Sequence, residues 1–175
     1  MFSLFRRTPT MLYPTIGFFD LSKRAAHSEL TEDKAVIAPL FCSTSESSTD
    51  LPKCDVLFIY CRIRDDGSLD SYPRSLREII RYSGATIVVV ATANSTAAYI
   101  TAGRKQKYGA ANLVMTLDRK GSSFSNFFQS LFTQMRNGAS MPTAWAKLAP
   151  QGPSALHAHC PDTMFACELG QVAFK

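Results

Sequence analysis

Cys61 is the cysteine best placed for nucleophilic chemistry in this sequence, because it closes a strongly apolar run of strand length, residues 55–63. A thiolate nucleophile needs a base within hydrogen-bond reach, and His157 or His159 could supply it. His157, His159, Cys160 and Cys167 are also metal-capable, but their spacing matches no compact zinc pattern and no CxxC pair accompanies them. Asp20, Asp65 and Asp66 carry carboxylates that a magnesium ion would accept. Asp65-Asp66-Gly67 is equally a turn sequence, and the turn is the simpler reading. Asn94 and Ser95 stand where a helix is predicted to begin, so their backbone N–H groups could face an anion. With Arg62, Asp65 and Asp66 they make the candidate ligand-binding set. His27, isolated beside Ser28 and Glu29, is expected on the surface.

The familiar phosphate and hydrolase loops are missing. Neither GxxxxGK[ST] nor GxGxxG occurs, and residues 93–96 contain no glycine to let a pyrophosphate approach the backbone. GxSxG is absent too, so no nucleophile elbow is offered. No cofactor and no metal are expected.

These residues need a scaffold, and the hydrophobic pattern supplies one. Apolar runs of strand length cover residues 15–19, 35–41, 55–63, 85–91 and 111–117. The third and fourth are continuous and rich in β-branched residues, as in strands covered on both faces. Helical spacing covers 73–82 behind Ser71 as N-cap, 95–108, 124–136 with its phenylalanine stripe, and 142–148. Alternation of strand and helix predicts an α/β three-layer sandwich, a mostly parallel central sheet of about five to six strands flanked by helices. Residues 43–53 are predicted to be a polar loop and 150–161 an irregular segment; 163–174 is expected to give an edge strand or a hairpin turning at Gly170. A single domain over residues 1–175 fits the length.

Composition narrows the classes further. Hydrophobic residues at 46% and charged ones at 19% are ordinary for a globular chain. The net charge is +5, but the cations are dispersed as Arg6-Arg7, Lys23-Arg24, Arg104-Lys105-Lys107 and Arg119-Lys120. Such short clusters are solvated faces, so no nucleic-acid partner is expected. Five cysteines without framework spacing fit reduced thiols in a cytoplasmic compartment. The N-terminal apolar stretch is broken by Pro9, Pro14 and Gly17 and lacks a small-residue cleavage site, so it is expected to lead into a strand, not to be a signal. No run reaches the roughly 18 apolar residues of a membrane helix.

Residues 54–149 carry a recognisable order: a buried strand and a loop, a helix ending at Gly84-Ala85, a second buried strand, and a third strand over 111–117. The helix 124–136 and Asn137-Gly138-Ala139-Ser140-Met141-Pro142-Thr143-Ala144-Trp145 close it. This block resembles caspase-like α/β domains, in particular the bacterial CHAT branch. The resemblance implies a histidine after the first of these strands, where the chain has Cys61-Arg62-Ile63. It implies a nucleophilic cysteine after the second, where the chain has Thr92-Ala93-Asn94. The chain therefore resembles a catalytically degenerate relative, a domain that acts through protein contacts or self-association. Its 12 Phe and 6 Tyr can furnish both a core and an interface. Two alternatives stand beside this: a small-molecule or nucleotide-binding protein using Arg62, Asp65, Asp66, Asn94 and Ser95, and a cysteine hydrolase using Cys61 with His157 or His159.

Overall fold

The structure, a computed structural model, describes residues 10–23, 25–104, 111–148 and 162–174. Its centre is a six-stranded sheet made of β2 (Thr15–Asp20), β3 (Ser43–Ser47), β4 (Val56–Tyr60), β5 (Ile87–Val90), β6 (Asn112–Asp118) and β7 (Asp162–Cys167), in the order β3-β2-β4-β5-β6-β7. The first five are parallel; β7 runs antiparallel to β6. A separate parallel pair joins β1 (Thr10–Met11) to β8 (Ala173–Phe174). The α/β expectation holds, and the reason is plain in β4 and β5. Every residue of Val56–Tyr60 and of Ile87–Val90 is buried, as strands sandwiched between helix layers must be.

The helices divide between the two faces. On one face α1 (His27–Ile37), α4 (Ser123–Arg136) and α5 (Met141–Leu148) cover Ile16, Phe18, Phe58, Val89 and Val114. The Phe58 ring meets Phe128 edge-on at 5.2 Å, and Phe127 meets Trp145 at 5.1 Å, so the phenylalanine stripe of α4 is core. On the other face α2 (Leu76–Ser83) and α3 (Thr96–Arg104) cover Phe19, Leu57, Ile59, Val88 and Leu113. α2 begins later than its sequence suggests. Ser75, not Ser71, is the N-cap, in a reciprocal capping box with Glu78, and Gly84 ends the helix at φ 73°.

The stretch 35–41 is not a strand. It is the end of α1 followed by a 3-10 turn, Ala38–Leu40, with Pro39 at its start. Proline lacks the N–H that a ladder needs, and Phe41 instead inserts its ring between Phe132 at 5.2 Å and Phe174 at 5.8 Å. The strand lies further on: the first part of the expected polar loop is β3, fully in register with β2 from Ser43 to Ser47. The return from β3 to β4 has no helix and lies flat against β2. A Cβ on Gly17 would fall 2.7 Å from Cys54 Sγ and 2.8 Å from Pro52 Cβ, so glycine is required there. At the C-terminus β7 is an edge strand as expected, but β8 leaves it to pair with β1, so Gly170 turns the chain without forming a hairpin. The expected irregular segment 150–161 lies outside the described residues.

Candidate functional site

The chain leaves β2 for β3 on one side and returns to β4 on the other. Such a switch point opens a crevice beyond the carboxyl ends of the strands. Here a cavity of about 700 Å³ occupies that position. Its walls follow three strand ends: Leu21, Ser22 and Lys23 after β2, Arg62, Ile63 and Asp65 after β4, and Thr92, Ala93, Asn94 and Ser95 after β5. Asp70 and Ser71 close one side and Glu29 of α1 another. A second cavity of about 640 Å³ adjoins it and shares Leu21, Lys23 and Ser71. Four of the five predicted ligand-binding residues therefore line one cavity; Asp66 does not.

The loop after β4 is held as a small hairpin. Ile63 bridges Leu69, the Asp70 N–H donates to the Arg62 carbonyl at 2.8 Å, and the Gly67 N–H donates to the Arg64 carbonyl at 2.8 Å. Asp66 serves this turn. Its carboxylate accepts the Ser68 N–H at 2.9 Å and the Ser68 hydroxyl at 2.6 Å, and these bonds hold its pKa below the usual range. Gly67 at φ 81° lies against the α3 backbone, where a Cβ would come 2.8 Å from the Ala102 nitrogen. The turn reading of 65–67 is the one the geometry follows. Among the described residues no three acidic, histidine or cysteine side chains gather as a metal site.

Asn94 has a different task from the one its sequence position implies. Its backbone N–H donates to the Thr116 carbonyl at 3.0 Å and is not open to an anion. Its Oδ1 accepts the Ile63 N–H at 2.8 Å, and its Nδ2 donates to the carbonyls of Cys61 at 3.2 Å and Thr92 at 3.0 Å. It is a buried tether that locks the β4 loop to the β5 loop and so fixes the cavity wall. The Ser95 hydroxyl likewise accepts the Ala98 N–H at 3.1 Å and caps α3.

Lys23 and Arg62 are the cations of the cleft. Both are exposed, and among the described residues neither makes an ion pair. Three acids line the same cavity: Asp70 pairs with Arg64 at 2.7 Å and also feels the charges of Lys23 and Arg62, Glu29 approaches Arg119 at 3.6 Å, and Asp65 makes no ion pair among the described residues. Among the described residues, two of the three non-glycine residues with positive φ border the cleft, Lys23 at 52° and Ser71 at 64°. Such conformations cost on the order of 1–3 kcal/mol each and concentrate at functional sites.

Behind the cleft lies a charged cluster that the sequence did not disclose. Asp33 faces inward from α1 and is fully buried. Arg119, just after β6, forks onto it through two bonds of 3.0 Å, and the Tyr60 hydroxyl donates to it at 2.7 Å. The Arg119 guanidinium also donates to the Ala91 carbonyl at 3.1 Å and stacks 3.9 Å over the Phe124 ring. Burial pushes the Asp33 carboxyl up, against the pull of Arg119 and Tyr60. Burial likewise raises Glu29, and Tyr60 rises for the same reason with the Asp33 charge adding to it. Arg119 was visible only as a polar residue after a strand. Asp33 sits between Leu30 and Ile37 on the buried face of α1, a signal that exists once the helix is recognised.

Cys61 is fully buried on the face covered by α2 and α3, and burial pushes its thiol up to about 12. An accessible thiolate is what a nucleophile requires, and this position does not provide one. His157 and His159 lie outside the described residues. His27 begins α1 and is exposed, as its isolation predicted. No helix of the described residues is long and apolar enough to cross a membrane. In comparisons with protein-family models, curated proteins and solved structures, nothing matches this chain.

Proposed function

We propose that the protein is a non-catalytic α/β binding domain, caspase-like in pattern, and that the cleft beyond β2, β4 and β5 takes an anionic ligand. The observation that carries this reading is a pair of exposed cations, Lys23 and Arg62, without an ion pair among the described residues, on a cavity of about 700 Å³ at the switch point of the sheet. The cavity is large enough for a small molecule bearing a carboxylate or phosphate. Hydroxyls of Ser22, Ser71 and Thr92 stand around it, and the Thr92 hydroxyl oxygen is buried without a hydrogen-bond partner among the described residues. Among the described residues no cysteine or histidine lines this cavity. Where the caspase-like pattern puts its histidine and cysteine, the chain carries Cys61-Arg62-Ile63 and Thr92-Ala93-Asn94, and the Cys61 thiol is buried.

A thermal-shift screen with nucleotides, phosphorylated sugars and dicarboxylates tests the reading. The expected result is a stabilisation by at least one class that weakens with salt and disappears in Lys23→Glu/Arg62→Glu. No shift with any of them, or a shift that the double variant retains, would overturn it.

A further inference from the structure

We infer that the protein self-associates through β3, whose outer edge pairs antiparallel with β3 of a second copy. An open edge strand is a template for another chain, and folded proteins blunt such edges with lysines, prolines, bulges or irregular pairing. The two outer strands of this sheet differ in that respect. β7 departs from regular pairing with β6 between Thr116 and Asp118, and it starts at Asp162, which Lys120 meets at 3.4 Å. β3 has no proline, lysine or bulge, and a single charged residue. Ser43-Thr44-Ser45-Glu46-Ser47 is in unbroken register with β2 and is exposed almost throughout. Its one charge, Glu46, is neutralised by Lys34 at 2.6 Å.

The occupant that fits this edge is the edge itself. With a two-fold axis at Ser45, an antiparallel pair sets Ser43 against Ser47 and Thr44 against Glu46, so no like charges face each other. Thr44 and Glu46 line a groove beside α1 whose floor includes Leu30, Ala35 and Ala38. Glu46 of the second copy would enter that groove at Thr44, where Lys34 can bridge both carboxylates. Ser45 lies on the opposite face, across from Gly17, and its side chain is exposed. This surface is separate from the ligand reading of the cleft, and the two can fail independently.

Sedimentation equilibrium of the whole chain tests the inference. Wild-type protein is expected to dimerise reversibly, while Ser45→Lys and Ser45→Glu, which put like charges on the axis, are each expected to be monomeric. An equimolar mixture of the two should restore the dimer through Lys–Glu pairs at the same position. Hydrogen exchange of the wild type supplies a readout that needs no variant: amides of residues 43–47 should gain protection as concentration rises. A monomeric wild type, dimers that persist in both charge variants, or concentration-independent exchange at 43–47 would each overturn it.

Discussion

Two cations at the same end of the sheet have opposite fates. Arg119 is buried behind the cleft, clamped by Asp33 and stacked on Phe124, with its donors also reaching the Ala91 carbonyl. Arg62 is exposed in the cleft and makes no ion pair among the described residues. The same side chain is structural in one place and open to solvent in the other. What separates them is whether the chain itself satisfies the charge: a buried guanidinium must be paired, whereas a solvated one can wait for a partner.

The sharpest test of this contrast removes the partner of the buried cation. Asp33→Ala takes from Arg119 the carboxylate it forks onto, leaving it the Ala91 carbonyl and the more distant Glu29, and takes from the Tyr60 hydroxyl its acceptor; the loss expected for breaking such a buried pair is about 3–5 kcal/mol. Arg62→Ala should change stability by no more than about 0.5 kcal/mol, as for a surface substitution. Denaturant unfolding of both variants compares them directly; similar losses would erase the distinction.

Asn94→Ala probes the wall between the two regions. It strips the Ile63 N–H of its acceptor, and an orphaned buried amide costs about 1–3 kcal/mol. Because Asn94 ties the β4 loop to the β5 loop, the variant should also weaken ligand stabilisation more than its own destabilisation explains. Unchanged ligand shifts in a destabilised Asn94→Ala protein would show that the tether does not shape the cleft.

The smallest effect concerns Glu29, which touches both regions: it lines the cavity and approaches Arg119 at 3.6 Å. Burial raises its carboxyl, with Arg119 opposing and Asp33 and Glu32 adding to the rise. An acid held above its ordinary value binds its proton more tightly folded than unfolded. Its contribution to stability is therefore full below the ordinary glutamate value and is lost as pH rises through the raised one. The unfolding midpoint should fall with pH across that window, and Glu29→Gln should flatten the slope. Partial exposure of the side chain keeps the effect modest. A Gln variant with the wild-type slope would assign the dependence to other groups.

Much of the scaffold was readable because it depends on local pattern. The buried runs of β4 and β5, the Phe stripe of α4 and the turn at Asp66-Gly67 each carry their signal within a few residues. The carboxyl edge followed from the strand order, and it placed Arg62, Asp65, Asn94 and Ser95 on one cavity. α1 was hidden because its sequence, His-Ser-Glu-Leu-Thr-Glu-Asp-Lys-Ala-Val-Ile, puts an aspartate at a core position and clusters its apolar residues at the end. β3 was hidden because an exposed edge strand of serines has no buried face to impose alternation.

By itself, then, the sequence determined the α/β class, the two central strands and the end of the sheet where a site would lie, since hydrophobic burial acts through spacing along the chain. Only the tertiary structure decided what the polar groups there do. Asp33 is tolerable in the core because Arg119, 86 residues away, comes to meet it. Asn94 is a tether because the Ile63 amide and the Cys61 carbonyl converge on it from another strand. The worth of a charge or an amide is set by its partners in space, and no local pattern encodes them.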